Sequence, residues 1–204
     1  MRCQETDTVS GQDGVESQKK TDGSVNIICE VATAPVANWL VQAAKVASKF
    51  TMFTHHAKTT RSLVIALRNS LLQEGGFANE KVAEEQVAMV INFDVHTDIL
   101  VNGHRYIQRV TEILPIEAQP YPEGLDDATM EYYHRTTNPL TFDTNQIITW
   151  VEGKYYFSGC FSERAKEEIW FNLTETERLE FDDFCERCEE EASMFKEMVS
   201  AYAE

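Results

Sequence analysis

Apolar residues at the start of the chain alternate between strand-like and helix-like spacing. Residues 23–31, GSVNIICEV, are short and rich in β-branched side chains, which predicts a strand buried on both faces, as in a parallel sheet. Residues 34–50 then repeat apolar side chains at helical spacing, with Pro35 at the predicted helix start. A second short strand, TMFT, follows over residues 51–54.

Two further helices are predicted before position 91. Residues 59–74 have helical spacing and stop at two glycines, Gly75 and Gly76. Asn79 is a typical N-cap for the next helix. The order strand, helix, strand, helix, helix indicates an α/β fold class.

The pattern changes after Val90 to strands joined by tight turns. Asn102-Gly103 predicts a β-hairpin, and Glu152-Gly153 predicts the turn between a second pair of strands. A helix is predicted around residues 127–135, and two helices close the chain, the second started by a capping box of Thr174 and Glu177. Several large apolar side chains are predicted to lie in the core: Trp39, Phe50, Met52, Phe53 and Trp170.

Length and composition limit the class of protein. The chain has 204 residues, 43% of them apolar, which suits one globular domain or a domain with an appendage. No stretch approaches the ~20 apolar residues of a membrane span, and the polar first twenty residues contain no signal-peptide core. We therefore expect a cytoplasmic protein. Five scattered cysteines, an odd number, fit a reducing compartment: Cys3, Cys29, Cys160, Cys185 and Cys188.

The net charge of -16 argues against nonspecific nucleic-acid binding, because lysine and arginine provide most of the affinity for phosphate backbones. Residues 161–204 contain 14 acidic and 5 basic residues, so more than half of this charge lies on the C-terminal segment. A solvated helical face explains such a segment more simply than an acidic docking surface.

Candidate chemistry lies where the first two predicted strands end. Glu30 ends the first strand, and His55 and His56 follow the second. Ligands of open α/β sheets bind outside the carboxyl ends of the strands, so neighbouring strands would bring Glu30 and one histidine to one edge. Because side chains alternate along a strand, the two histidines are expected to point apart. The alternative is an acid favoured by a helix start and histidines that act as polar caps.

These residues resemble motifs of the hexameric secretion ATPases. An apolar strand that ends in an acid, followed by a helix and a strand that ends T-H-H-A-K, is similar to the Walker B motif and histidine box of that family. The sequence looks most like the CpaF-type ATPases of tight-adherence (Flp) pili and their relatives in type II and type IV secretion. The resemblance also covers three later segments: NEKVAEEQVAMVINFDVH, GHRYIQRVTEILP and NLTETERLEFDDF.

The resemblance implies roles for individual residues. Glu30 resembles the Walker B glutamate that orients the attacking water, and His56 resembles the histidine-box residue near the γ-phosphate. QETDT resembles the acidic box, which makes Glu5 a candidate catalytic residue and Asp7 a candidate for holding water around Mg²⁺. His55 and Arg61 are further candidates for nucleotide binding. ATP and Mg²⁺ are the implied substrate and cofactor of the complete enzyme.

The sequence also departs from the family pattern. Cys29 occupies the position where family members have glycine before the Walker B glutamate, and an arginine common soon after that glutamate is missing. No G-x-x-x-x-G-K-[ST] occurs in the sequence, and this loop supplies the amides and lysine that hold the phosphates. We therefore expect the C-terminal half of such an ATPase, beginning just after Walker A and inactive in isolation.

The implied fold is a partial RecA-like P-loop ATPase core with a C-terminal β-hairpin and helical appendage. The expected domains are the core part over residues 1–114, a linker over 115–127 and a small α+β appendage over 128–204. The implied partners are identical subunits in a hexamer and a platform protein of the inner membrane, at whose cytoplasmic face the protein would lie. The alternative is a stand-alone, non-catalytic relative that acts as an assembly subunit.

The sequence gives weaker support for a metal site than for a nucleotide site. Cys185-x-x-Cys188 has zinc-ligand spacing, but no second such pair occurs and the surrounding sequence is helical. Asp94 and His96 share a strand face and could be metal ligands together with His55. The polar face of a hairpin is a better explanation for these two residues.

Overall fold

The computed structural model describes residue 13 and residues 25–45, 50–116, 120–137 and 140–202, without the side chains of the last two. In these ranges the protein is mixed α/β. None of the helices described there combines the length and the apolar character needed to cross a membrane. The chain divides into two compact units: Met1–Ile91 with Pro115–Phe142, and Asn92–Leu114 with Asp143–Glu204.

The first unit starts with a strand, a helix and a parallel strand. Strand β1 spans Val25–Glu30, helix α1 spans Ala34–Lys45 and strand β2 spans Phe50–Thr54. Helices α2 and α3 follow over Thr60–Gln73 and Glu80–Val90. A further helix of this unit, α4, spans Leu125–Thr137.

Helices α1, α2 and α3 form the core of the first unit. Each presents small and branched apolar side chains at helical spacing to the other two, and α2 contacts both α1 and α3. These side chains are 6% exposed or less, and the largest that are under 2% exposed are Leu40, Val41, Val64, Leu67, Leu71 and Val87. The predicted N-cap Asn79 is present, because it accepts the backbone N–H of Lys81, and Thr59 likewise caps α2 by accepting that of Ser62.

Strands β1 and β2 pair in parallel, but one face of this two-stranded sheet is open. Asn26 pairs with Thr51, and these residues point to the face on which Asn26 is 6% exposed. On the other face the side chains are 49–70% exposed: Val25, Ile27, Phe50 and Met52. The prediction of a strand buried on both faces is therefore wrong, as is the placement of Phe50 and Met52 in the core. In the described part of the chain, a sheet of two strands with helices packed elsewhere leaves this face uncovered.

A buried carboxylate joins two segments of the first unit that are distant in sequence. Glu84 of α3 is 2% exposed, and its Oε1 accepts the backbone N–H of Thr141 at 2.9 Å. Its Oε2 accepts a hydrogen bond from Arg68 of α2 at 3.1 Å. Because the carboxylate is both paired and hydrogen-bonded, the cost of burying it is offset.

The second unit is built on a four-stranded sheet in the order β3-β4-β5-β6. The strands span Phe93–Ile99, Arg105–Pro115, Phe142–Val151 and Lys154–Phe157. The first two are antiparallel around Asn102-Gly103, and the last two around Glu152-Gly153. Glu152 and Gly153 both have positive φ, 48° and 89°, as a type I′ turn requires, so both predicted hairpins are confirmed.

Two helices complete the second unit. Helix α5 spans Glu163–Phe171, and the long helix α6 spans Glu175–Tyr202. Helix α6 packs on β6, where Phe157 meets Phe184 at 5.7 Å and Tyr156 meets Phe195 at 5.2 Å between ring centroids. Glu177 accepts the N–H and hydroxyl of Thr174, which confirms the half of the predicted capping box that the Glu177 side chain makes. Trp170 is 36% exposed rather than a core residue.

The predicted domain division at residues 114 and 127 rests on the family resemblance and stays a prediction.

Candidate functional site

The carboxyl ends of β1 and β2 meet at one edge of the parallel pair. The register aligns Glu30 with Thr54, after an irregularity between Ile28 and Glu30. The hydroxyl of Thr54 donates a hydrogen bond to the carbonyl oxygen of Cys29, and the N–H of Val31 donates to that of Thr54 at 2.9 Å. These bonds fix the backbone at the positions from which Glu30 and the two histidines project.

Glu30 and His56 lie in contact at this edge. The Nε2 atom of His56 is 3.4 Å from Oε1 of Glu30. Both side chains are open to solvent, 54% exposed for Glu30 and 94% for His56. An exposed pair of this kind contributes little to stability, so both groups remain available to a ligand that approaches from solvent.

His55 takes the opposite orientation from His56. Its Nδ1–H donates to the carbonyl oxygen of Val31 at 2.7 Å, which requires the proton on Nδ1 if the ring is neutral. Its Nε2 is buried and has no hydrogen-bond partner in the described part of the chain. Val31 itself is 2% exposed. The ring therefore ties the end of β2 to the segment after β1, and the two imidazoles point apart as expected.

In its described part, the structure does not place the other predicted site residues in contact with Glu30 and His56. Arg61 is exposed in the first turn of α2, and within the described ranges it makes no hydrogen bond to Glu30 or His56. Glu5 and Asp7 lie outside the described residues. The structure thus brings Glu30 and His56 together, places His55 behind them and leaves the catalytic roles of all six residues as predictions.

Sequence reasoning missed the most buried acid of the second unit. Glu112 of β4 is 4% exposed. Its Oε2 accepts the N–H of Ser162 at 2.9 Å and the amide of Asn145 at 3.1 Å, and its Oε1 is 2.5 Å from the Ser162 hydroxyl. The available signal was its place two residues before Leu114 and two after Val110, between two apolar residues on the same face of the strand.

The predicted metal ligands do not form a cluster. Across the residues that the structure describes, no group of three or more His, Cys, Asp or Glu side chains is arranged to hold a metal ion. Cys185 and Cys188 lie on α6, where they are buried with Cys160 close by. In the described part of this edge Glu30 is a possible carboxylate ligand, and Mg²⁺ bound by one or two carboxylates takes its other ligands from water and substrate phosphates.

Comparison with known proteins does not extend these findings. No protein-family model matches the chain, and no curated protein matches it.

Proposed function

We propose that this chain is part of a secretion or pilus-assembly ATPase that hydrolyses ATP to drive Flp-type pilus assembly or protein secretion. The observation that carries the proposal is the contact of Glu30 with His56 at the carboxyl edge of the parallel β1–β2 pair. An acid and an imidazole at that edge are the groups implied by the resemblance to CpaF-type ATPases. ATP would be the substrate and Mg²⁺ the cofactor in the complete enzyme.

The exposed carboxylate of Glu30 suits the orientation of a water molecule. Phosphoryl transfer depends mainly on positioned charge and on a nucleophile held in line with the leaving oxygen. Glu30 would accept a hydrogen bond from the attacking water, and His56 would lie beside it near the γ-phosphate.

The open face of the β1–β2 pair supports the idea of a larger sheet. Parallel sheets are normally covered on both faces, whereas Ile27 and Met52 are 70% and 49% exposed. The Oδ1 atom of Asn26 is buried without a hydrogen-bond partner in the described part of the chain. We propose that further strands and a P-loop of a RecA-like core complete this sheet in a hexameric ATPase docked on a membrane platform protein.

A non-catalytic assembly subunit is the second candidate. Two sequence facts favour it: no G-x-x-x-x-G-K-[ST] is present, and Cys29 replaces the glycine expected before Glu30. The genomic reading frame upstream separates the candidates. An in-frame segment with a GKT-containing loop supports the ATPase, whereas a stop codon followed by a ribosome-binding site supports the assembly subunit.

We predict that the 204-residue chain alone neither binds ATP tightly nor hydrolyses it. The phosphate-holding amides and lysine of a P-loop are absent from its sequence, so phosphate contacts would be too few. Titration calorimetry with ATP and Mg²⁺ should give no sub-micromolar dissociation constant. A sub-micromolar value would contradict the prediction and show that another segment of this chain holds the phosphates.

A further inference from the structure

Three cysteines that the proposed function does not use lie together in the second unit. Cys160 follows β6, while Cys185 and Cys188 are one turn apart on α6. All three are free thiols. Cys160 is half-buried, Cys185 is 8% exposed and Cys188 is fully buried.

The thiols of Cys160 and Cys188 each contact a backbone carbonyl oxygen of the segment that carries another of these cysteines. The Cys160 thiol lies 3.8 Å from the carbonyl oxygen of Cys185, and the Cys188 thiol lies 3.3 Å from the carbonyl oxygen of Gly159. Side chains on a helix lean toward its N-terminus, so the Cys188 side chain points back toward the level of the Cys185 carbonyl. The Cys188 sulfur therefore lies against the residue before Cys160, and the Cys160 sulfur lies against the helical turn that ends at Cys188.

The surrounding packing holds the two segments in this arrangement. Phe184 of α6 packs on Phe157 of β6, and Phe195 packs on Tyr156, so aromatic contacts lie on both sides of the cysteines along α6. Lys166 of α5 is hydrogen-bonded to Glu189 of α6 at 2.5 Å. The loop after β6 and this turn of α6 are therefore already in contact, as the thiol contacts of Cys160 and Cys188 show.

We propose that Cys160 and Cys188 form an oxidation-sensitive cross-link that fixes α6 to the loop after β6. Hydrogen peroxide is the oxidant. The Cys160 sulfur attacks one peroxide oxygen and breaks the O–O bond, which gives a Cys160 sulfenic acid and water. The Cys188 sulfur then attacks the Cys160 sulfur, a second water leaves, and the disulfide forms. Two thiols are oxidised as one peroxide is reduced to two waters.

Exposure sets the order of these two steps. Cys160 is the most accessible of the three thiols and meets the oxidant first. Burial, together with interaction with Cys160, raises the pKa of Cys185 to about 11 and that of Cys188 to about 12. Both buried thiols are thus protonated at neutral pH and react slowly with peroxide in solution. Cys188 instead acts as the resolving thiol because it is held next to Cys160.

The test uses the full chain with Cys3 and Cys29 replaced by serine, treated with peroxide and digested with trypsin without reduction. Cleavage after Arg187 separates Cys185 from Cys188, so the pairing can be assigned by mass spectrometry. We expect the intact protein to become two hydrogen atoms lighter, and residues 155–164 to be linked to residues 188–196. We also expect the melting temperature to rise by ~5 °C or more in the cross-linked form.

Matched variants keep the proposal falsifiable. Cys185→Ser should still cross-link, whereas Cys188→Ser and Cys160→Ser should not, and circular dichroism should show that each variant is folded. Because Cys188 is fully buried, Cys160→Ser is the decisive variant if Cys188→Ser fails to fold. A link between residues 155–164 and 179–187, or oxidation of Cys160 to sulfinic acid with no link, would overturn the proposal. This inference does not depend on the ATPase proposal.

Discussion

The edge with Glu30 and the region around Glu112 each combine a carboxylate with polar neighbours, but they differ in how far the carboxylate is exposed and hydrogen-bonded. Glu30 is 54% exposed and lies 3.4 Å from an imidazole that is itself in solvent. Glu112 is 4% exposed and accepts hydrogen bonds from Ser162 and Asn145. Glu112 therefore uses its acceptor capacity within the protein, while Glu30 keeps it available for water or a ligand.

This difference separates structural from candidate catalytic acids without reference to any motif. Glu84 belongs with Glu112, because Thr141 and Arg68 satisfy its buried carboxylate. A buried acid that is fully hydrogen-bonded costs stability when it is removed, whereas an exposed acid with spare lone pairs costs little. The comparison therefore predicts opposite responses to substitution in the two regions.

The largest effect on stability is expected for Glu112→Ala. Removal of the carboxylate leaves the half-buried N–H and hydroxyl of Ser162 without their acceptor and takes one of two acceptors from the Asn145 amide, which should lower the free energy of unfolding by ~2 kcal/mol. Urea denaturation followed by circular dichroism measures this change. Glu167→Ala, at an exposed position of α5, is the control and should stay within ~0.5 kcal/mol of the wild type. If the Glu112 variant were as stable as this control, the distinction between structural and candidate catalytic acids would be wrong.

An intermediate effect on stability is expected at His55. The same contrast between a structural and a candidate catalytic side chain can be tested there on two adjacent residues, His55 and His56. His55→Ala loses the hydrogen bond to Val31 and should destabilise the chain by ~1 kcal/mol, while His56→Ala should leave stability unchanged. In the hexameric ATPase that we propose, assayed at saturating ATP, His56→Ala should slow hydrolysis and His55→Ala should mainly affect folding or assembly. Loss of turnover in His55→Ala alone, with assembly intact, would mean that the histidine box is misaligned by one residue.

The smallest effect is expected at Glu177, an exposed carboxylate that is nonetheless hydrogen-bonded. The hydroxyl and the backbone N–H of Thr174 lower the pKa of Glu177. Its contribution is therefore present above the usual carboxyl pKa and is lost as the pH falls through the lowered value. The melting temperature of Glu177→Gln should be slightly below that of the wild type at pH 7, and the gap should close once the pH falls below the lowered pKa of Glu177. A gap that widens in acid would contradict this assignment.

Local chemistry made much of the fold predictable. The turn at Glu152-Gly153 and the caps at Asn79 and Thr174 depend on residues within a few positions of each other, and all are present. Burial depends on distant partners and was harder to predict. Ile27 is exposed although it lies in an apolar strand, and Glu112 is buried by Ser162, 50 residues away.

The features of the candidate site that follow from strand topology were predictable from the sequence. Parallel strands bring their carboxyl ends to one edge, which was enough to anticipate that Glu30 and one histidine would meet. Alternation anticipated that His55 and His56 would point apart. The contact of His55 with Val31 was not predictable, because it depends on the path of the backbone after both strands.

The central claim is that Glu30 serves hydrolysis and not folding, and one variant tests it most directly. Glu30→Gln in the completed ATPase should bind nucleotide and assemble like the wild type, yet lose turnover by ~10²-fold or more at saturating ATP. Glu74→Gln, another exposed acid of the same unit, is the control and should retain full turnover. Unchanged turnover in the assembled Glu30→Gln protein would contradict the account and assign the water-orienting role to another acid.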